Sequence, residues 1–428
     1  MSRPCSHRVP AASPLPRLTA SRLSTSPPIL QTPSPLRLLP LLAVGAFASQ
    51  ASIRLADPML PQLAAEFGTG AASLSGVITA FAVAYGLMQL FFGPMADRFG
   101  KLRIIAGAAW AAAAGSAACA LAGGPSSLTA LRLLTGAACA GLIPLTIAWI
   151  GDNVPYEARQ SVLARFMVGT TLGNVFGQVA GGVFSDTVGW RMTFLLPALL
   201  FAVVALLLGW RLHTGQAASP PAAGAGSRGS GNPIAAFGQV LRSPWARIVL
   251  ALVFLEGALA FSTLALLPSW LHTRHGLSLW QTGMAAAGFG LGGLLFALCG
   301  PWMSRRLGEQ GLPLIGAVPL CAGFWLLGSS SWMLEAAKCL VAGVGFFMIH
   351  ITLQTLATQM LPSLRGTAIA AFALSLFVGQ SGGVALAARA SQHVGFETVQ
   401  ATSAIGLLVL GITLAALLRI RAKRVPAR

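Results

Sequence analysis

Charged residues are scarce in this chain, and acidic residues are the scarcest. Lys, Arg, Asp and Glu make up 9% of the 428 residues, with only 10 acidic against 28 basic. Soluble globular domains carry nearer a quarter charged residues. Hydrophobic residues account for 55% of the chain. A soluble fold of this length could not cover so much apolar surface, so the composition indicates a membrane protein.

The short motifs of common enzymes are also missing. No glycine-rich loop ends in Lys followed by Ser or Thr, which argues against direct use of ATP. The glycine-rich segment 177–182 lacks the serine of a hydrolase nucleophile. The six cysteines have no metal or disulfide spacing, and five lie inside apolar stretches. We therefore expect no enzyme, no metal site and no cofactor.

The hydrophobic residues are gathered into stretches of about 20 residues, long enough to cross a bilayer as helices. They lie at about 38–57, 72–96, 102–123, 127–150, 161–185, 191–211, 245–271, 279–303, 311–329, 332–360, 364–390 and 398–418. Only three serines, at 329–331, separate the ninth stretch from the tenth. We expect an all-α membrane protein with twelve transmembrane helices, embedded in a lipid bilayer.

The net charge of +18 could suggest a nucleic-acid partner, but the basic residues form no stripe and lie mostly at loop positions. We expect no nucleic acid. All but six of the 28 basic residues fall on the side of the membrane that also holds both termini. The six exceptions are Arg54, Arg132, Arg191, Arg274, Lys338 and Arg389. Because positive loops resist translocation, both termini are predicted to be cytoplasmic.

Composition also divides the chain into segments. Residues 212–244, rich in Gly, Ala, Ser and Pro, are predicted to be an unstructured cytoplasmic linker. The linker separates two halves of six spans each, 37–211 and 245–420, and a basic cytoplasmic tail follows at 421–428. Residues 1–36 contain no acid, which is typical of a disordered tail, of an organellar targeting sequence or of a start site assigned too early.

The two halves repeat one another weakly. The matching segments are 85–94 with 292–301, 177–182 with 379–383, and Pro155 and Arg159 with Pro362 and Arg365. All three matches fall in the same order in each half, which chance rarely produces. We therefore expect two pseudo-symmetric halves. One difference between them is an acid, since Asp97 of the first half becomes Ser304 in the second.

The turn between the second and third stretches carries the most informative motif. It reads Gly-Pro-Met-Ala-Asp-Arg-Phe-Gly-Lys over residues 93–101. It resembles the loop between helices 2 and 3 of the major facilitator superfamily of transporters, with Met95 where Leu is usual. Arg132 in the fourth span and Gly189-Trp190-Arg191 before the sixth also resemble features of that family. The resemblance covers about residues 37–420.

The resemblance implies two like-oriented six-helix halves with a small-molecule substrate held between them near mid-membrane. It implies a monomeric secondary transporter of the bacterial inner membrane that works by alternating access. The candidates on the cavity side carry few fixed charges, which favours proton-driven export of a small, largely apolar molecule. Proton-coupled uptake of a small organic solute, and a receptor-like protein that transports nothing, are the alternatives.

In the family, the acid of the 93–101 turn helps to hold the cytoplasmic ends of the halves together while the cavity faces outward. The conformational gate carried over to this chain comprises Gly93, Asp97, Arg98, Gly100 and Lys101. Asp97 is expected to meet the helix that begins near Arg365 and to be favoured there by the helix dipole.

Three residues are candidates for proton coupling. Glu256 lies near the middle of span seven with no basic residue nearby in sequence, and charge in hydrocarbon is costly. The alternative is a neutral Glu256 hydrogen-bonded to a neighbouring helix. Asp57, three residues after Arg54, is either a protonatable acid or part of a pair near the outer headgroups. His350 in span ten is either a proton relay or a hydrogen-bonded packing residue.

Four polar residues are candidates for the substrate cavity: Arg54, Arg132, Gln178 and Gln380. Arg132 could bind an anionic group or pair with Asp57, and its alternative is to extend to the outer surface. Gln178 and Gln380 occupy matching positions in the repeat.

The fifth span carries a helix-packing stripe of Gly169, Gly173, Gly177 and Gly181, one residue in four. It is similar to the fifth-helix motif Gly-Pro-x-x-Gly-Gly of drug/proton antiporters, with Gln178 in place of Pro. The alternative is a generic packing face.

Overall fold

The computed structural model describes residues 35–214 and 233–424, and every regular element within them is a helix. The α-helices are α1 (Leu39–Arg54), α2 (Leu60–Phe67), α3 (Ser75–Phe99), α4 (Lys101–Ala120), α5 (Pro125–Cys139), α6 (Leu142–Asn153), α7 (Tyr156–Thr187), α8 (Trp190–His213), α9 (Pro233–Arg242), α10 (Pro244–His275), α11 (Leu279–Trp325), α12 (Trp332–Gln359), α13 (Arg365–Val394) and α14 (Phe396–Arg424). Short 3₁₀ turns precede α1, α3 and α13. Most of the predicted tail 1–36 and the middle of the predicted linker lie outside the described residues.

Nine helical segments of the described chain are long and apolar enough to cross a membrane, counting α5 and α6 as one. One of these, α11, changes direction at Gly308, whose φ of +67° only glycine adopts readily, and supplies two spans. The more polar α7, and α1 with the bend that follows it, complete the twelve transmembrane helices that the sequence predicts.

The 93–101 segment differs from the predicted turn. α3 continues as a helix through Pro94 to Phe99, and α4 begins at Lys101. The reversal is made by Gly100 alone, at a φ of +91°. Pro94 lies inside α3, and the charges of this segment therefore lie on helical turns rather than in a loop.

Three other boundaries differ from the prediction. The linker 212–244 contains a helix, α9, whose Val240 is fully buried, because its apolar residues recur on one face. The fourth span is interrupted at 140–141, between α5 and α6. α14 continues to Arg424, into the predicted tail 421–428. The predicted break at 329–331 is present, between α11 and α12.

One hydrophobic core lies within the first half, and a larger one joins the second half to first-half residues around 55–78, 119–128 and 190–194. The halves meet along two helix pairs, α3 with α13 and α7 with α11. These two pairs are equivalent under the internal repeat. The two helix pairs lie at the boundary between the halves. Together with α1, α10 and α12, these four helices surround the site between the halves.

The contacts between the halves are concentrated at one end of the bundle. We call the end where α8 finishes and α10 begins the linker end, and the opposite end the far end. At the far end, a Cβ on Gly182 would lie 2.3 Å from the Leu279 carbonyl oxygen, and the Ser381 hydroxyl donates to the Thr79 carbonyl oxygen over 3.2 Å. Within residues 35–214 and 233–424, no hydrogen bond or ion pair joins the halves at the linker end. The described bundle is closed at its far end.

Candidate functional site

The first half contains a buried ion pair at the point where α1 ends. Arg54 is the last residue of α1, and the chain bends through 55–59 before α2 resumes. The Arg54 Nη1 atom lies 3.6 Å from Asp57 Oδ2, and the two side chains are 3% and 0% exposed. The pair is therefore enclosed by the bundle where the chain bends at Pro58, and its expected alternative, a position near the outer headgroups, stays a prediction.

A glutamine from α7 completes this group. The Gln178 Nε2 atom donates a hydrogen bond to Asp57 Oδ2 over 3.0 Å, across 121 residues of sequence. Asp57 Oδ1, Gln178 Oε1 and Arg54 Nε have no hydrogen-bond partner within the described residues. The group therefore retains donors and acceptors that can bind further polar atoms.

The second half contains a different buried pair. His350 Nδ1 on α12 lies 3.0 Å from Glu256 Oε2 on α10. Glu256 is fully buried, and the His350 side chain is 15% exposed. Two of the three proton-coupling candidates thus lie together. A carboxylate and an imidazole in hydrogen-bond contact can hold one proton between them or carry opposite charges.

Aromatic rings connect the two pairs across the boundary between the halves. The Arg54 guanidinium carbon lies 4.1 Å from the centre of the Phe261 ring on α10. Phe261 contacts Phe346, with centroids 5.7 Å apart, and Phe346 stacks on His350 at 5.2 Å. The candidate site is therefore largely aromatic between its charged ends, and a guanidinium over a ring is a favourable cation–π geometry.

Arg132 is buried within the first half, and its binding of an anionic group stays a prediction. It is 1% exposed, so it does not extend to the outer surface. Its Nε atom donates to the Val77 carbonyl oxygen over 3.2 Å, and its guanidinium lies 4.0 Å above the Phe81 ring. It forms no ion pair with Asp57 among the described contacts. Its position on α5 places it against α3, within the first half.

The glycine stripe of α7 is a contact surface for three of its four members. Cβ atoms on Gly173, Gly177 and Gly181 would lie 2.2–2.4 Å from carbonyl oxygens of α1 or of the residue that follows it. A Cβ on Gly169 would meet nothing within 4 Å. The packing prediction is therefore wrong for Gly169, because α1 and α7 diverge toward the linker end. Gln380 is also buried, and its Nε2 atom has no partner within the described residues.

The predicted gate residues lie at the linker end, and only part of the expected contact is present. Asp97 is exposed and makes no hydrogen bond or ion pair within the described ranges. The contact with the helix that begins at Arg365 is absent because the halves separate here. Lys101 pairs instead with Asp152 of α6. Gly93 and Gly100 have open space around them, and Arg98 lies over the neighbouring Phe99 ring at 5.1 Å.

The sequence analysis missed three contributors to the site. Phe261 carried no signal beyond its place in an apolar span. Asp152 follows the buried Trp149–Ile150 segment at a span end, where an acid could have suggested an ion pair with Lys101. Asp186, near the end of α7, accepts a hydrogen bond from the Trp280 backbone N–H of the other half.

Comparisons with curated proteins give several transporters. The chain is 28% identical over 391 residues to the probable transporter SCO4007 of Streptomyces coelicolor, covering 88% of this chain and 86% of that protein. It is 28% identical to the 4-hydroxybenzoate transporter PcaK of Pseudomonas aeruginosa, over 71% of this chain and 74% of PcaK. It is 26% identical to the multidrug export protein EmrB of Haemophilus influenzae, over 40% of this chain and 33% of EmrB.

The fold and a family profile agree with those relatives. The crystal structure of the nucleoside transporter NupG is similar with a TM-score of 0.72 and 17% identity, covering 90% of this chain and all of that one. At that identity the likeness concerns the fold. The sequence profile described as Major Facilitator Superfamily matches residues 42–384. Because that match runs from α1 into α13, across most of the chain, the protein belongs to the Major Facilitator Superfamily.

Proposed function

We propose that this transporter exports a small, largely apolar organic molecule in exchange for protons, by alternating access between its two halves. The observation that carries the proposal is the buried contact between Glu256 and His350. Proton coupling needs a group that loses and regains a proton as the site opens to each side. An acid and an imidazole in one contact, one of them partly exposed, form such a group.

The surroundings of this pair support an apolar substrate. Phe346 and Phe372 flank the His350 ring at 5.2 and 5.4 Å. In the first half, the opposite charges of Arg54 and Asp57 offset each other. Apolar and aromatic walls with few convergent polar groups are typical of sites for small organic ligands. The name of EmrB, a multidrug export protein, is in keeping with this choice, although it matches less than half of the chain.

We place the linker end in the cytoplasm of a bacterium, with the protein in the inner membrane as a monomer and both termini inside. The basis is the excess of basic residues in the loops and tails on that side. In this orientation the described state is closed toward the outside, and Asp97 is unpartnered because it would meet the second half only in the opposite state.

The direction and the coupling can be tested in proteoliposomes that hold a pH-sensitive dye, with ethidium as an amphipathic probe. Under an acidic interior, exchange predicts ethidium entry together with a rise in internal pH. Symport, as in the uptake alternative, predicts that solute entry acidifies the interior. A receptor-like protein binds without moving either. For the uptake alternative we use 4-hydroxybenzoate as the probe, because the relative PcaK is named as a transporter of this organic acid.

Glu256→Gln tests the proton site directly, because the amide keeps the shape and hydrogen bonding but cannot titrate. We expect ethidium binding to survive while transport driven by the proton gradient is lost. Glu335→Gln is the matched control, since Glu335 is equally buried but binds Lys338 Nζ over 2.7 Å and the backbone of Ser329. Wild-type rate and pH dependence in Glu256→Gln would make Glu256 structural.

A further inference from the structure

A carboxylate of the first half contacts the start of a helix in the second half. The Asp186 Oδ2 atom, one residue before the end of α7, accepts a hydrogen bond from the Trp280 backbone N–H over 2.7 Å. Trp280 is the second residue of α11, whose N-cap is Ser278. N–H groups in the first turn of a helix have no acceptor within the helix. Asp186 therefore supplies an acceptor and a negative charge where the helix dipole favours both.

This contact lies beside the closest approach of the two halves. Cβ atoms would meet backbone oxygen of the other half at 2.3 Å on Gly182 and at 2.4 Å on Gly283. Asp186 is one helical turn beyond Gly182 on α7. The carboxylate contact consequently exists only while the backbones of α7 and α11 are pressed together, and any separation of the halves at the far end must break it.

The second half has no equivalent acid. Gly177 and Gly181 make the same kind of backbone contact as Gly379 and Gly383, and this register puts Ala388, which is buried among apolar residues, at the position of Asp186. The polar contact on that side of the boundary is the neutral Ser381 hydroxyl on the Thr79 carbonyl oxygen. Among the residues that the structure describes, the carboxylate contact between the halves at the far end therefore comes from the first half.

We propose that Asp186 is a latch that holds the far end closed by capping the first turn of α11, and that its release is part of each opening of the far end. The proposal rests on the alternating-access part of the proposed function and is independent of the substrate and of proton coupling. Asp186 acts as a positioning residue for the conformational equilibrium and contacts no substrate.

The test measures how often the far end opens, without using transport. Ser381 is 4% exposed and contacts Thr79 of the other half, so a cysteine there is reached from the far end only when the halves part. In a background with the native cysteines replaced, Ser381→Cys is treated with a membrane-impermeant thiol reagent applied to the far-end side of sealed vesicles. The rate of modification then reports the open population.

We expect Asp186→Ala to raise this rate about two- to fivefold, and Asp186→Asn to raise it less, because the amide oxygen still accepts a hydrogen bond. That range corresponds to about 0.3–1 kcal/mol, the usual contribution of an exposed charge at a helix terminus. The matched control is Glu66→Gln, which removes the same charge at the same end. Its partners, Trp190 and Arg191, both lie in the first half, so we expect no change.

Gly283→Ala provides a charge-independent comparison, because its Cβ forces α7 and α11 apart. A rate that rises in Gly283→Ala but not in either Asp186 variant overturns the latch while leaving alternating access intact. No modification from the far end in any variant also overturns it, since that end would then never open. Loss of ethidium transport with an unchanged Asp186 effect would refute the proposed function and leave the latch in place.

Discussion

The two halves each place a buried acid at the candidate site, Asp57 and Glu256, but they give it different partners. Asp57 faces Arg54, whose guanidinium does not lose its proton in proteins, whereas Glu256 faces His350, whose imidazole can accept or donate a proton. The first-half group changes its net charge only if Asp57 takes up a proton. The second-half group has two members that can do so. The backbones of the two halves are pseudo-symmetric, but their side chains differ. The Arg54–Asp57 pair is suited to keeping its charges, and the Glu256–His350 pair is suited to exchanging a proton.

The largest expected effect is on the free energy of unfolding, and it tests the difference between the two buried pairs. Arg54→Ala leaves Asp57 buried opposite no charge, and we expect a loss of about 3–5 kcal/mol in the free energy of unfolding. His350→Gln should lose much less, because the glutamine amide can still donate a hydrogen bond to Glu256, whereas alanine leaves Asp57 without the Arg54 contact. Equilibrium unfolding in mixed micelles measures both. The double variant Arg54→Ala/Asp57→Asn should recover much of the loss, and equal losses in Arg54→Ala and His350→Gln would contradict the distinction.

A second prediction concerns a feature that the two halves share, the close contact of a glycine with the backbone of a neighbouring helix. Cβ atoms on Gly177 and Gly379 would lie 2.3 and 2.1 Å from carbonyl oxygens of α1 and α10. Each Gly→Ala variant should lose about 1–3 kcal/mol of unfolding free energy through overpacking. Gly169→Ala and Gly382→Ala, where the added carbon meets nothing within 4 Å, are the controls. They should be neutral or slightly stabilising, since Ala favours helix more than Gly does.

A third prediction concerns the pH profile of transport. Removing the imidazole in His350→Gln leaves Glu256 as the one member of the pair that can bind a proton, so the dependence of the ethidium transport rate on pH should change. His393→Gln, at an exposed site near the end of α13, controls for the loss of a histidine. An unchanged profile in His350→Gln would assign the histidine to packing alone.

The smallest effect is expected outside the membrane, at Glu66 near the end of α2. Hydrogen bonds from Trp190 and then Arg191 hold the pKa of Glu66 below its ordinary value. A lowered folded-state pKa stabilises the protein above the ordinary pKa of Glu, and that contribution is lost as pH falls through the lower value. Melting temperatures measured from pH 6 down to pH 3 should therefore fall slightly more in wild type than in Glu66→Gln. Parallel curves would show that this exposed pair contributes nothing.

The topology was predictable from sequence because each span needs only its own hydrophobic run and its flanking residues. Twelve spans, the break at 329–331 and the superfamily all followed from such local patterns. The errors were also local in origin. The charged 93–101 segment looked like a loop, but Gly100 alone can reverse the chain. The polar composition of 212–244 concealed the short amphipathic helix α9.

The arrangement of the site was not predictable in the same way. Glu256 and His350 are 94 residues apart, and Asp57 and Gln178 are 121 apart, so their pairing depends on how whole helices pack. Gly169 and Gly177 share the same spacing pattern, yet only the crossing of α1 and α7 decides which of them touches backbone. Candidate residue types could be read from the chain, while their partners required the three-dimensional structure.

The bare backbone contact between α7 and α11 has a mechanical consequence. Where Gly182 and Gly283 meet the other half, no flexible side chain can stretch to keep contact as the gap widens. Dispersion attraction falls steeply, with about a quarter to a half of the well lost over a gap of 0.5–1 Å. The far end should consequently populate two states, closed and open, with few intermediates between them. A transporter of this kind spends little time in a partly open state, which limits the leak of small ions between the halves.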